Sequence, residues 1–169
     1  LLERQIEIFQ NCGINDITIV TGHNSNSINF PNVNYIKNNN YATTNMNESL
    51  FCAREKFDDS ILISYSDIIY EQKIIEQLLQ SKFDFSIGIR LNWKESYENR
   101  LQHPLSEAEN VIIENQKIIY LRKNLLTCTQ DQKIGEFLGL MKLTKKGSNE
   151  LLNKYLELKQ NHTKTFHSS

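Results

Sequence analysis

The sequence predicts an α/β fold built on a largely parallel sheet. Three observations carry that expectation. Short β-branched runs alternate with longer segments whose apolar residues recur at helical spacing. The strand-like runs are apolar for most of their length, as strands covered on both faces are. No internal repeat and no Pro/Gly-rich linker divides the 169 residues, so one domain is expected.

Taken in order, Leu1, Leu2, Ile6 and Phe9 mark one face of a helix, with Glu3, Arg4, Glu7 and Gln10 between them and Gly13 as its stop. Asp16 to Val20 is then a short buried strand ending at Thr21-Gly22. About ten of the residues from Asn24 to Asn47 are Asn, but an extended run from Val33 to Lys37 lies among them and argues for ordered loops. A helix is expected from Met46 to Phe57, with Leu50, Ala53 and Phe57 on one face and Asn45 or Asn47 as its cap. Ser60 to Tyr65 is a strongly apolar strand leading directly into Ser66-Asp67. A turn and helix follow from Ile68 to Leu79, then a strand from Phe83 to Ile89. Two strands joined through Asn115-Gln116 are expected between Asn110 and Tyr120, a strand from Phe137 to Leu143, and a helix from Lys145 to Leu158.

Composition narrows the function. An apolar share of 39% and a charged share of 23% are those of an ordinary soluble domain. A formal net charge of -1 removes the electrostatic basis for a general nucleic-acid binder. A small anionic substrate would need a local site. Cys12, Cys52 and Cys128 show no metal-ligand or disulfide spacing, so a reducing, cytoplasmic setting is expected. No run approaches the roughly 20 apolar residues of a membrane helix, so membrane insertion is not expected.

In open α/β sheets, ligands collect at the carboxyl ends of strands. Three such ends are polar here: Thr21-Gly22-His23, the loop from Asn38 to Ser49, and Ser64 to Asp67. An acid just after an apolar strand, as Asp67 is, suits a hard divalent ion that phosphate and water also coordinate; equally, Asp67 could cap the next helix. The Asn-rich loop is dense in side chains that both donate and accept, which reading a base edge requires, although a solvated turn has the same composition. The stretch Trp93 to Arg100 offers an aromatic and a guanidinium that suit a lid over an anion, or a surface turn with Trp93 packed down. Lys123 follows an extended run and is either a cation for a phosphate or a lysine protecting a sheet edge. His23, His103, His162 and His167 show no ligand spacing and are read as structural or exposed.

Together, Ile17 to His23, Asn39 to Leu50, Ile63 to Ile69, Trp93 to Glu109 with Tyr97 and Arg100, and Gly135 to Leu140 resemble, in order and spacing, the nucleotidyltransferase family. The likeness runs nearest to the phosphocholine and phosphonate cytidylyltransferases and to the nucleotidyltransferase domains associated with phosphoenolpyruvate mutase. The resemblance implies a Rossmann-like fold, with a mainly parallel mixed sheet flanked by helices. It also implies Mg²⁺-dependent transfer of a nucleoside monophosphate, CMP from CTP, to a small phosphorylated alcohol or phosphonate, with release of pyrophosphate. A sugar 1-phosphate acceptor and a non-catalytic nucleotide-binding module of the same fold are the alternatives, and a homodimer is allowed for.

On the matching positions the resemblance makes Asp67 the metal ligand and, with Lys123, the catalytic pair. Asn39, Tyr41, Thr44, Asn45 and Ser49 become nucleotide contacts, and Trp93, Arg100, Glu109 and Glu136 acceptor contacts. The family also opens with a strand and a Gly-rich loop that holds the triphosphate, and it draws a second metal carboxylate from a late strand. Neither has a counterpart in these residues, and Arg90 and Asn92 stand where the subgroup often has acids. The chain is accordingly expected to be one partial nucleotidyltransferase domain, residues 1–169, incomplete for activity by itself.

Overall fold

The computed structural model describes residues 1–98 and 104–161. Four helices and seven strands alternate along them: α1 (Leu2–Asn11), β1 (Thr18–Thr21), β2 (Asn34–Lys37), α2 (Met46–Cys52), β3 (Ile61–Ser64), α3 (Gln72–Gln80), β4 (Phe85–Arg90), β5 (Glu109–Glu114), β6 (Lys117–Lys123), β7 (Lys133–Leu143) and α4 (Lys145–Asn161). The α/β class expected from the sequence is the one observed.

The chain forms two compact units. Among the described residues the first comprises 1–62, 69–86 and 142–161, and the second comprises 63–68, 87–98 and 104–141. In the first, α1 ends where Gly13 takes φ +81°, a left-handed conformation that glycine adopts without steric cost. The Gly13 and Ile14 amides then reach back to Gln10 and Phe9 carbonyls at 2.9 Å each. Strands β1 and β2 pair in parallel, Thr18 against Asn34 through Thr21 against Lys37. The connection between them is long enough for the crossover that parallel strands need. Phe51, Phe57 and Tyr155 form a buried cluster with Leu50, Ile61, Leu151 and Leu152 packed on it. Phe51 and Tyr155 stack with ring centroids 3.7 Å apart, fixing α2 against α4.

A five-stranded sheet, ordered β3-β7-β5-β6 with β4 also on β7, carries most of the second unit. Here the sequence expectation of a mainly parallel sheet is not confirmed, because β5 pairs antiparallel with both β6 and β7. The reason is local. Asn115 and Gln116 have φ of 49° and 63°, the two left-handed residues of a tight turn whose twist matches an antiparallel hairpin. Strand boundaries also move: β7 begins at Lys133, four residues before the Phe137 expected, because β5 extends the ladder from Asn110–Glu136 to Ile113–Lys133.

Candidate functional site

In the first unit the Asn-rich loop is built around a residue that sequence reasoning passed over. Asn38 is 4% exposed. Its amide nitrogen donates to Thr44 Oγ1 at 2.9 Å and Ser49 Oγ at 3.0 Å, and its Oδ1 accepts from the Asn40 amide at 2.9 Å. Thr44 Oγ1 in turn donates to the Asn40 carbonyl at 2.9 Å. The loop is therefore held from inside, and the Thr44 and Ser49 hydroxyls are partly spent on that work. The signal in the sequence was only position: Asn38 follows β2 directly, where its amide also continues the ladder to Thr21 O at 2.8 Å.

Asn45, not Asn47, caps α2, its side chain accepting from the Glu48 amide at 3.2 Å. The α2 helix stops at Cys52, and a separate turn of 3₁₀ helix covers Arg54–Lys56, so the single helix expected to Phe57 is two. Glu48 anchors α2 to α4 by accepting from Tyr155 Oη at 2.9 Å and Lys159 Nζ at 3.0 Å. Asn39 and Tyr41 are exposed in the turn between Asn38 and Thr44.

Tyr41 leans on Gly22. A Cβ on that glycine would lie 2.8 and 2.9 Å from the Tyr41 Cβ and Cγ, so the close approach requires glycine there. Tyr41 Oη also lies 3.4 Å from His23 Nδ1. Beside them a cleft of about 590 Å³ opens at the carboxyl ends of β1 and β2, lined by Gly22, His23, Lys37 and Tyr41 and by residues 24–27. Of these, Tyr41 was expected from the sequence as a nucleotide contact, and Gly22 and His23 belong to one of the three polar strand ends read there.

In the second unit Asp67 sits in the turn after β3, exposed, with no hydrogen bond or ion pair among the described residues. It is not a helix cap: α3 begins at Gln72 with Glu71 in the cap position, so the capping alternative falls. Tyr65 lies within the electrostatic reach of both Asp67 and Glu109. Its hydroxyl pKa is raised by burial first, then by Glu109 and Asp67. Tyr65 meets Phe137 edge to face at 5.8 Å, and a Cβ on Gly139, which has φ +73°, would strike its ring at 2.6 Å.

Strand register separates the residues expected to contact an acceptor. Glu109 pairs with Lys123 across β5 and β6, so the two share one face of the sheet. Asn110 pairs with Glu136 across β5 and β7, which puts Glu136 on the other face. There Glu136 accepts a short hydrogen bond from Tyr97 Oη. Trp93 is 1% exposed and packs edge to face on Tyr97 at 5.8 Å, so it supports that tyrosine and presents no open ring. Arg100 lies outside the described residues. Among the described residues no group of three or more His, Cys, Asp or Glu is placed to hold a metal ion.

No family model matches the chain. It is 27% identical over 166 residues to the CTP:phosphoglutamine cytidylyltransferase of Campylobacter jejuni, an alignment that takes in 92% of this chain. The chain spans 65% of that relative's length. Among solved structures, the inositol-1-phosphate CTP transferase from T. maritima superposes with a TM-score of 0.65 at 13% identity, over 99% of this chain and 64% of the other. The CTP:phosphocholine cytidylyltransferase from Streptococcus pneumoniae gives 0.59 at 16% identity, over 94% of this chain and 63% of the other. The chain shares its fold with these two CTP transferases and is similar in sequence to a cytidylyltransferase.

Proposed function

We propose that the protein containing this chain transfers CMP from CTP to a small phosphorylated or phosphonate acceptor, releasing pyrophosphate. The observation that carries the reading is the sequence likeness to a cytidylyltransferase across 92% of the chain. It is supported by an uncommitted carboxylate, Asp67, just after a strand, and by an Asn-rich loop held in shape from within. In the reaction an acceptor oxygen attacks the α-phosphorus of CTP, and the bond to the bridging oxygen of the β-phosphate breaks with its electrons leaving on pyrophosphate. Two anions must meet in line, so the protein's work is positioning and charge neutralisation.

Mg²⁺ is commonly held by one or two carboxylates with phosphate and water completing its shell, and the exposed Asp67 is one such carboxylate. Asp67 would hold it from this chain, and the ion would offset the charge that builds on the phosphates. Asn39 and Tyr41 present exposed groups to the nucleotide, while Asn45 caps α2 and Ser49 ties that helix to Asn38 behind them. Lys123 supplies a cation next to Glu109 for the acceptor's phosphate, and Glu136 with Tyr97 offers a separate polar contact. A cytoplasmic enzyme, with a homodimer as one assembly, fits this role.

The test is turnover of CTP, UTP and dTTP by the complete protein with phosphorylated and phosphonate acceptors. CTP is expected to be preferred; failure with every nucleotide and acceptor would leave a non-catalytic module. Asp67→Asn should lower turnover by about three orders of magnitude without moving the melting temperature. A variant that melts early would return Asp67 to a structural role.

A further inference from the structure

We propose, on the nucleotide reading of the loop from Asn38 to Ser49, that Tyr155 and Lys159 of α4 position that loop by acting through Glu48 at the start of α2. Glu48 is joined to the loop at its backbone and to α4 at its side chain. Its amide donates to Asn45 Oδ1 at 3.2 Å, while its carboxylate accepts from Tyr155 Oη at 2.9 Å and Lys159 Nζ at 3.0 Å. Lys159 Nζ also donates to Tyr155 Oη at 2.9 Å, so the three groups close a triangle. Next along α2, the Ser49 amide donates to the Asn45 carbonyl at 3.3 Å, and Ser49 Oγ accepts from Asn38. Contacts thus run without a break from Lys159 to the residues that shape the loop.

Adhesion between the helices does not call for this triangle. Phe51 stacked on Tyr155 already buries α2 against α4, but apolar contact is non-directional and does not by itself fix how α2 is turned about its axis. With seven residues, α2 is shorter than a helix that persists on its own, so its geometry is set by what it packs on. The Glu48 side chain is 17% exposed, and a carboxylate so covered is costly to leave unpaired. Few placements of α2 pair it with both partners. Tyr155 and Lys159 stand four residues apart on one face of α4, so both meet the same carboxylate. Burial raises the Tyr155 pKa, and the phenol keeps the proton that it donates to Glu48.

The test is calorimetric titration of CTP and of UTP into the complete protein, with the melting temperature and the kcat of CMP transfer measured beside it. Tyr155→Phe keeps the stack on Phe51 and removes only the hydroxyl. It is expected to weaken CTP binding about tenfold, to narrow the preference for CTP over UTP, and to change kcat less than about twofold. Glu48→Ala should do the same, and Glu48→Gln, which keeps an acceptor for Tyr155, should restore part of the affinity. Combining Glu48→Ala with Tyr155→Phe should bind CTP no more weakly than the worse single variant, because both act through one contact. Parent affinity in Tyr155→Phe, whatever its melting temperature, makes the triangle a structural brace and overturns the proposal, as does a fall in kcat with CTP affinity unchanged. Should Glu48→Ala fail to fold, Tyr155→Phe carries the test. CTP binding without turnover overturns the transfer reading alone, and weaker binding by Tyr155→Phe then still upholds the proposal. A parent that binds no CTP overturns the nucleotide reading of the loop and the positioning role with it.

Discussion

At Asn45 the side-chain oxygen accepts the Glu48 amide, so replacing it with Ala removes a helix cap before it removes anything else. Asn45→Ala is expected to cost about 1 kcal/mol of stability, read from denaturant melts, and to raise the KM for CTP more than it lowers kcat. An unchanged KM would make Asn45 a cap and nothing further. This double role was only half legible in the sequence, where capping and base reading call for the same polar amide. Asn38 was not legible at all, because burial is a property of the folded neighbourhood, and nothing distinguishes Asn38 from Asn39 and Asn40 in a run of three. The same limit hid the role of Trp93, which the sequence left open between lid and core and which the fold buries.

Among the elements, the β5–β6 hairpin turns through a residue poorly suited to its conformation. Gln116 holds φ 63°, a left-handed geometry costing a non-glycine residue roughly 1–2 kcal/mol. Gln116→Gly should therefore stabilise the protein by about 1 kcal/mol, measurable as a higher denaturant midpoint; a loss of stability would mean that the Gln side chain makes a contact worth more than the strain. The hairpin itself was expected from Asn115-Gln116, yet its antiparallel consequence for the sheet was not drawn, because apolar runs read alike in parallel and antiparallel strands.

A second element-scale effect lies where β4 meets α4. Asp84 accepts from Lys146 at 2.7 Å and from Thr144 Oγ1 at 2.6 Å, and Thr144 Oγ1 also accepts the Gly147 amide at 3.2 Å as the helix begins. The Lys146 and Thr144 hydrogen bonds hold the Asp84 carboxyl below its ordinary value. A carboxylate depressed in the folded state contributes stability above its unfolded pKa and loses it as pH falls through the folded one. Asp84→Asn should thus lower the melting temperature at neutral pH, with the gap to wild type closing as acid protonates Asp84. A gap that persists in acid would assign the effect to packing.

For the molecule as a whole, the α/β class was legible because it depends on the order of periodic segments, which the chain displays from α1 to α4. The grouping of site residues was less so. The family resemblance grouped Glu109 and Glu136 as acceptor contacts, whereas strand register puts them on opposite faces of one sheet. Division into two compact units was likewise absent from the sequence, since residues 63–68 join the second unit while their neighbours on both sides belong to the first.

That division gives the single tryptophan a practical value. Trp93 is the one indole in the chain, it lies in the second unit, and it packs on the tyrosine that donates to Glu136. Its emission is a built-in spectroscopic channel for that unit, while far-ultraviolet dichroism is weighted toward the helices of the first. If the two units unfold as one, the fluorescence and dichroism curves will superimpose; if they melt separately, the midpoints will part. An acceptor that engages Glu136 should shift the Trp93 emission through Tyr97, so the same lamp that follows unfolding can follow occupancy without any label.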